Sequence, residues 1–351
     1  MKQSLQESSS LGHAELSPPA APPFSKAPVF VVGSARSGTN LLHDTLLSSG
    51  GFAIYRTEPA VFDLLLPKFG DLGNRRNRER LLPVWFKSHQ YRLSKLDRKL
   101  VEEQILRDCH NAGDFLSIVM SEIARLQGTD RWVVWGPDNL LHIPAIARTV
   151  PTALFLHIIR DGRDVANSMN KKGFIRPFPW DRQRSLLVAA LHWKWKVERG
   201  RQYGRRIPHR YLEIHYEDLV CRPRETMAEI SRFIGHDLDC EQIQKTPIGV
   251  VRTPNSTFKG SDGKPTSDPV GRWRTHLSKA EVIEIESAAG CLLRELGYDL
   301  EFPKELPAGV PLKLMKRLYP AFFDLKEWLK MKTPFGRFVS TKRLRFDAIP
   351  K

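Results

Sequence analysis

Twelve residues, Val29 to Asn40, constrain this chain more than any other stretch. Val29 to Val32 form an unbroken apolar run, the pattern of a strand buried on both faces of a parallel sheet. Gly33 breaks the run, and Leu41, Leu42, Thr45 and Leu46 follow at helical spacing. Strand, glycine turn and helix together make an anion cradle. The backbone N–H groups of Ser34, Ala35, Arg36, Ser37, Gly38, Thr39 and Asn40 have no helical partners there, and the helix dipole adds partial positive charge. Gly33 and Gly38 let the backbone bend tightly and approach a ligand closely. The Gly33-x4-Gly38 spacing is that of a phosphate loop, with Arg36 as its cation and no lysine after the second glycine. An arginine offers a planar fork to a terminal oxyanion group.

The chain of 351 residues carries a net charge of +16, which implies anionic partners without choosing among nucleotide, sulfated substrate, nucleic acid or lipid headgroup. Its 41% hydrophobic and 27% charged content is that of a globular protein. Cys109, Cys221, Cys240 and Cys291 form no C-x-x-C pair, which argues against a zinc site or disulfide framework and leads to the expectation of a reducing, cytoplasmic location. No apolar run approaches the length of a membrane span, and the N-terminus has no apolar signal core.

Residues 1–27, rich in Ser, Pro and Ala, read as a disordered leader. After the first helix, Phe52 to Tyr55 suggests a second short strand, with Glu58 at its carboxyl end and a helix from Ala60 to Leu66. Residues 70–130 read as a mostly polar helical insertion shaping the acceptor site, and the run Arg75, Arg76, Arg78 and Arg80 as a solvated face. Strands are expected at Trp132–Trp135, Ala153–Ile159 and Tyr211–His215, with helices at Asp164–Asn170, 183–200 and 223–233. A polar loop over roughly 250–271 precedes Gly271-Arg-Trp-Arg274, and Ser278 with Glu281 matches a capping box. Strands alternating with helices predict an α/β fold whose parallel sheet carries helices on both faces.

Arg160 ends the strand Ala153–Ile159, and Ser168 lies eight residues on in the next helix, so an arginine and a hydroxyl can hold a second phosphate. Two anion sites at adjacent strand ends suit a bisphosphorylated nucleotide. With both stretches in view, the chain resembles the sulfotransferases that use 3′-phosphoadenosine 5′-phosphosulfate (PAPS). Gly33 to Leu42 resembles the family's 5′-phosphosulfate loop and His157 to Ser168 its 3′-phosphate site. Tyr216-Glu-Asp-Leu-Val220 and Gly271 to Ser278 look like further landmarks of the branch that includes bacterial members and the tyrosylprotein enzymes. The similarity spans about residues 28–300, within a sulfotransferase domain expected over 28–303, and implies a P-loop NTPase-like fold.

The resemblance implies that Arg36 binds the transferring sulfuryl group. Arg160 and Ser168 would hold the 3′-phosphate, with Tyr216 beside the nucleotide and Arg272 and Arg274 closing over it. Glu58 falls where the tyrosylprotein-like branch places a general base, which an acceptor hydroxyl needs before it can attack; a carboxylate stabilising a helix N-terminus is the other reading of it. His142 is the best substitute base, whereas His157 reads as a satisfied core residue. No metal is required, since a sulfuryl group carries less charge than a phosphoryl group.

One departure matters. Where the family often has Trp-Gly-x-Lys-x-Pro, this chain reads Trp135-Gly-Pro-Asp-Asn-Leu140, so Asp138 stands at the lysine position. Either Arg36, His142 or Arg163 replaces that cation, or the chain is a catalytically weak or inactive binder of the nucleotide. A nucleotide kinase would need a lysine after Gly38 and a metal-holding aspartate, and neither is present. Nucleic acid is not expected as a partner, and small-molecule, carbohydrate, lipid and peptide acceptors all stay open. The basic stretch 304–351 carries apolar residues at helical spacing, which suits docking on the domain or peripheral contact with a membrane.

Overall fold

In the computed structural model, residues 26–172, 185–252, 269–302 and 310–344 are described. The leader, apart from its last two residues, and most of the 250–271 loop lie outside these.

The chain enters the sheet at β1 (Val29–Gly33), turns, and continues into α1 (Thr39–Ser48). A π-helical turn over Val61–Leu65 leads into α2 (Leu66–Phe69), α3 (Arg75–Trp85), α4 (His89–Ser94), α5 (Arg98–Asp108) and α6 (Ala112–Leu126). Then come β2 (Val133–Trp135), a 3₁₀ turn over Pro137–His142, α7 (Ile143–Thr149), β3 (Leu154–Ile159), α8 (Gly162–Lys172) and α9 (Ser185–Gly204). The last strand, β4 (Tyr211–His215), is followed by α10 (Tyr216–Cys221), α11 (Pro223–Ile234), α12 (Cys240–Lys245), α13 (Trp273–His276), α14 (Lys279–Glu295) and α15 (Val310–Lys332).

Among the described residues the strands form one sheet in the order β2-β1-β3-β4, parallel throughout. In β1 alternate residues serve opposite faces. Phe30 and Val32 pack with Phe155 toward α3 to α7, while Val29 and Val31 pack with Leu156, Leu42, Leu46 and Ile230 toward α1 and α11. Both faces are apolar, so these strands read as continuous hydrophobic runs. Ser278 and Glu281 form the expected capping box at the start of α14.

Two expectations need correction. Phe52 to Tyr55 is not a strand: Ala53 makes a single bridge to Trp132. The side chain of Gln127 accepts from the Ile54 N–H at 2.7 Å and donates to the Ile54 carbonyl at 3.1 Å, taking the groups a ladder would need. The basic run is not a uniform solvated face either, for Arg78 is buried and donates to the carbonyls of Leu72 (2.7 Å), Gly73 (2.9 Å) and Cys109 (2.5 Å). It ties α3 to the end of α5, inside an insertion that also buries Trp85, Phe115 and Met120.

Arg78→Ala should therefore cost about 2–4 kcal/mol, because it strands several buried carbonyls. Ala at exposed Arg75, Arg76 or Arg80 should change stability by less than about 0.5 kcal/mol. Urea denaturation of the four variants checks the contrast.

Candidate active site

Each strand of the sheet delivers a polar group at its carboxyl end: the glycine loop after β1, Asp138 after β2, Arg160 after β3 and Tyr216 after β4. Ligands of open α/β sheets collect at these ends.

Gly33 must be glycine, because a Cβ there would lie 2.6 Å from the carbonyl oxygen of Ile158 on β3. Gly38, at φ 97°, caps α1, and a Cβ on it would overlap the ring of Tyr216. Arg36 also adopts a left-handed backbone, φ 68°, an uncommon conformation for a residue with a side chain. The loop so bent turns Arg36 toward α8, where its Nε donates to Ser168 Oγ at 3.0 Å.

Arg160 meets the loop from the other side. Its Nη1 donates to the carbonyl of Arg36 at 3.3 Å, and its Nη2 to the carbonyl of Pro269 at 2.7 Å and to Asp164 Oδ2 at 3.3 Å. Its guanidinium lies 4.5 Å from the ring centre of Tyr216. Burial, and then the nearby charge of Arg160, push the Arg36 pKa down. Two cations share a corner that favours an anion between them. The buried hydroxyls of Ser34 and Ser37 and the Nε of Arg160 have no hydrogen-bond partner among the described residues, so the donors present fit an oxyanion ligand.

Asp164 organises this corner. Its Oδ1 accepts the Trp273 N–H at 2.8 Å and its Oδ2 the Gly271 N–H at 3.0 Å, which draws the Gly271–Arg274 segment against β3 and α8. Arg272 is half-buried and acts electrostatically on Tyr216. Arg274 is exposed, with its guanidinium over the indole of Trp273 at 4.6 Å. Glu217 accepts the Asp161 N–H at 3.0 Å and the Tyr298 hydroxyl at 2.9 Å, which fixes the turn between β3 and α8. Arg163 is not a cation held in reserve. It is fully buried, bridges Asp161 (2.7 Å) and Glu286 (2.7 Å), and stacks on Trp273 at 3.9 Å.

A second cluster gathers three carboxylates around one guanidinium. Arg343, in a 3₁₀ turn that follows α15, donates through Nη2 to Glu58 Oε2 (2.7 Å) and through Nη1 to Asp63 Oδ2 (2.6 Å), with Asp138 Oδ2 at 3.4 Å. The insertion reaches this point too, where the side chain of Gln90 donates to the Glu58 carbonyl at 2.6 Å. Burial pushes the Glu58 carboxyl up to about 7; Arg343 works against that rise, while Asp138 and Asp63 add to it.

Asp138, at the position where the resemblance expects lysine, is itself neutralised. Lys196, buried on α9, donates to Asp138 Oδ1 at 2.5 Å and to the Pro137 carbonyl at 3.1 Å, and holds the Asp138 carboxyl well below its usual range. His142 is buried with Nε2 3.5 Å from Glu327 of α15, and burial lowers it to about 4, so it is neutral at pH 7. His157 lies in the core against the Tyr211 hydroxyl at 2.5 Å. Asp63, Lys196 and Arg343 carried no local signal in the sequence, for Arg343 meets Glu58 across 285 positions and Lys196 meets Asp138 across 58.

A parallel sheet, a glycine loop holding an arginine, and a second arginine at the neighbouring strand end make an α/β fold with a corner suited to an anionic group. The family model described as "Sulfotransferase family" matches residues 28–239, and the chain belongs to that family. Protein-tyrosine sulfotransferase 2 of Gallus gallus is 25% identical over 289 residues, covering 77% of this chain and 69% of its own length. A putative protein-tyrosine sulfotransferase of Caenorhabditis briggsae is 23% identical over 285 residues, covering 79% and 90%. The solved sulfotransferase domain from the curacin biosynthetic pathway overlays with a TM-score of 0.49 at 18% identity, covering 78% of this chain and 98% of that domain. The chain is thus an enzyme of sulfuryl transfer.

Removing Arg163 leaves Asp161 and Glu286 buried without their cation. Arg163→Met should lower stability by about 3–5 kcal/mol in chemical denaturation.

Proposed function

We propose that the chain transfers a sulfuryl group from PAPS to an acceptor hydroxyl, with Glu58 as the base. The observation that carries this reading is the junction of Arg36, Arg160 and Ser168. These residues come from two strand ends and a helix, and the 3.0 and 3.3 Å contacts among them let one bisphosphorylated nucleotide touch all three. Bound there, PAPS supplies an activated sulfuryl group on a phosphate leaving group.

The chain's own residues would divide the work. The loop amides, Ser34, Ser37 and Arg36 hold the sulfuryl end and meet the charge that develops as the S–O bond to phosphate breaks. Arg160, Ser168 and Arg272 hold the 3′-phosphate, and Tyr216 is fixed between Gly38 and Arg160. Glu58 takes the acceptor proton as the acceptor oxygen bonds to sulfur. Its raised pKa suits a base working near neutral pH. Arg343 keeps it ionised and oriented among the other carboxylates, and Lys196 restores positive charge beside the Trp135–Asp138 segment.

Calorimetry with 3′-phosphoadenosine 5′-phosphate tests the donor site: Arg36→Ala and Arg160→Ala should each weaken binding by about 1.5–3 kcal/mol. Full affinity in both variants would overturn the assignment.

Transfer from labelled PAPS, measured over a panel of phenol, peptide, sugar and lipid acceptors, should rise with pH through about 7 as Glu58 loses its proton. Glu58→Gln should abolish transfer and leave nucleotide affinity intact, and Arg343→Gln should move the midpoint upward. The folded pKa of Glu58 lies above its ordinary value of 4.5, so the stability it contributes is present in acid and lost as pH rises through about 7. Glu58→Gln should flatten that slope.

A further inference from the structure

Helix α15 presents two different faces. Tyr319 and Phe323 are buried against the core formed by α9 and α14. The carboxylates of the helix face the protein as well. Asp324 accepts from Trp195 Nε1 (2.9 Å) and Arg199 Nη2 (2.6 Å), and Glu327 lies 3.2 Å from Lys330 and 3.5 Å from His142.

Among the described residues the opposite face is left exposed. Leu314, Leu318, Phe322, Leu325 and Trp328 are each 37–55% exposed. At about 100° per residue they share one arc of roughly 120°. Lys313, Arg317, Lys326 and Lys332 are exposed as well and flank or end this stripe. Beyond the helix the surface continues through Phe335 and Phe338, 65% and 82% exposed, with exposed Arg337 between them.

A stripe of Leu, Phe and Trp edged by cations, its flanking carboxylate Asp324 paired with Arg199, matches an interface between hydrocarbon and negative charge. A second copy of the chain is a poor partner for it, because both would carry +16. No helix of the described residues is long and apolar enough to cross a membrane, and an apolar stripe along one side of α15 suits a helix lying in the surface plane.

We propose that the outer face of α15, continued by Phe335 and Phe338, docks the enzyme on an anionic lipid bilayer. Leu314, Leu318, Phe322, Leu325 and Trp328 insert among the headgroups while the flanking lysines and arginines meet lipid phosphates. Lys68 donates to the carbonyls of Arg337 (2.8 Å) and Val339 (2.9 Å), so the segment that continues this surface also leads to Arg343 over Glu58.

The test sediments the full chain with phosphatidylcholine vesicles prepared with or without phosphatidylglycerol. Binding should require phosphatidylglycerol and weaken with salt. The exposed double substitution Leu318→Glu/Trp328→Glu should reduce it about tenfold or more. Lys313→Gln/Arg317→Gln/Lys326→Gln should also reduce it, by a similar factor. Binding of 3′-phosphoadenosine 5′-phosphate, measured on the same samples, should be the wild-type value in every variant, which separates this surface from the donor site. Three results would each overturn the proposal: no association with phosphatidylglycerol vesicles, association indifferent to the Leu318/Trp328 substitution, or a wild-type dimer in solution that this substitution dissociates.

Discussion

The architecture depends on keeping two guanidinium groups together in a corner largely closed to water. Arg36 and Arg160 repel each other, and in low dielectric that repulsion is not screened away. The protein offsets it with one carboxylate and one aromatic face. Asp164 sits against Arg160 while accepting two backbone N–H groups from the Gly271–Trp273 segment, and Tyr216 lies under the same guanidinium. The ends of β3 and β4 and a segment more than a hundred residues downstream of β3 are therefore fixed by the same charge that would grip a ligand. The corner leaves little freedom to its backbone: Gly33 and Gly38 have no room for a side chain, and Arg36 holds a backbone conformation that side chains disfavour.

The second cluster inverts the signs. Glu58, Asp63 and Asp138 are three anions at one place, and Arg343 and Lys196 supply the compensating charge. Asp138 viewed alone would oppose the departure of a negative leaving group. Paired with buried Lys196 it anchors a cation beside the segment, so the position carries a charge pair where the resemblance expects a single lysine.

Much of the fold was legible in the sequence because its determinants are local. Strands buried on both faces appear as unbroken apolar runs, and the capping box at Ser278 spans only four residues. Phe52 to Tyr55 misled because strand propensity says nothing of Gln127, whose side chain occupies the backbone groups a ladder would use. Arg78 misled in the same way: its charge is visible in the sequence, but the four carbonyls it serves come from the turn before α3 and the end of α5. Arg36, Arg160, Ser168 and Tyr216 come together as the sequence suggested because each follows a strand end, and a parallel sheet brings all such ends to one edge. Lys196 and Arg343 could not be found in the sequence, for nothing in a stretch of amphipathic helix distinguishes the one basic residue that reaches a distant carboxylate.

The position of Arg343 also sets an order in time. A ribosome releases the sheet, Arg36, Arg160 and Glu58 long before it reaches residue 343, so the nascent domain can fold around a carboxylate that lacks its counter-ion. During that interval the Glu58 carboxyl is protonated more readily than it is with Arg343 in place. The charge balance of this cluster therefore closes only when the turn carrying Arg343 is in place.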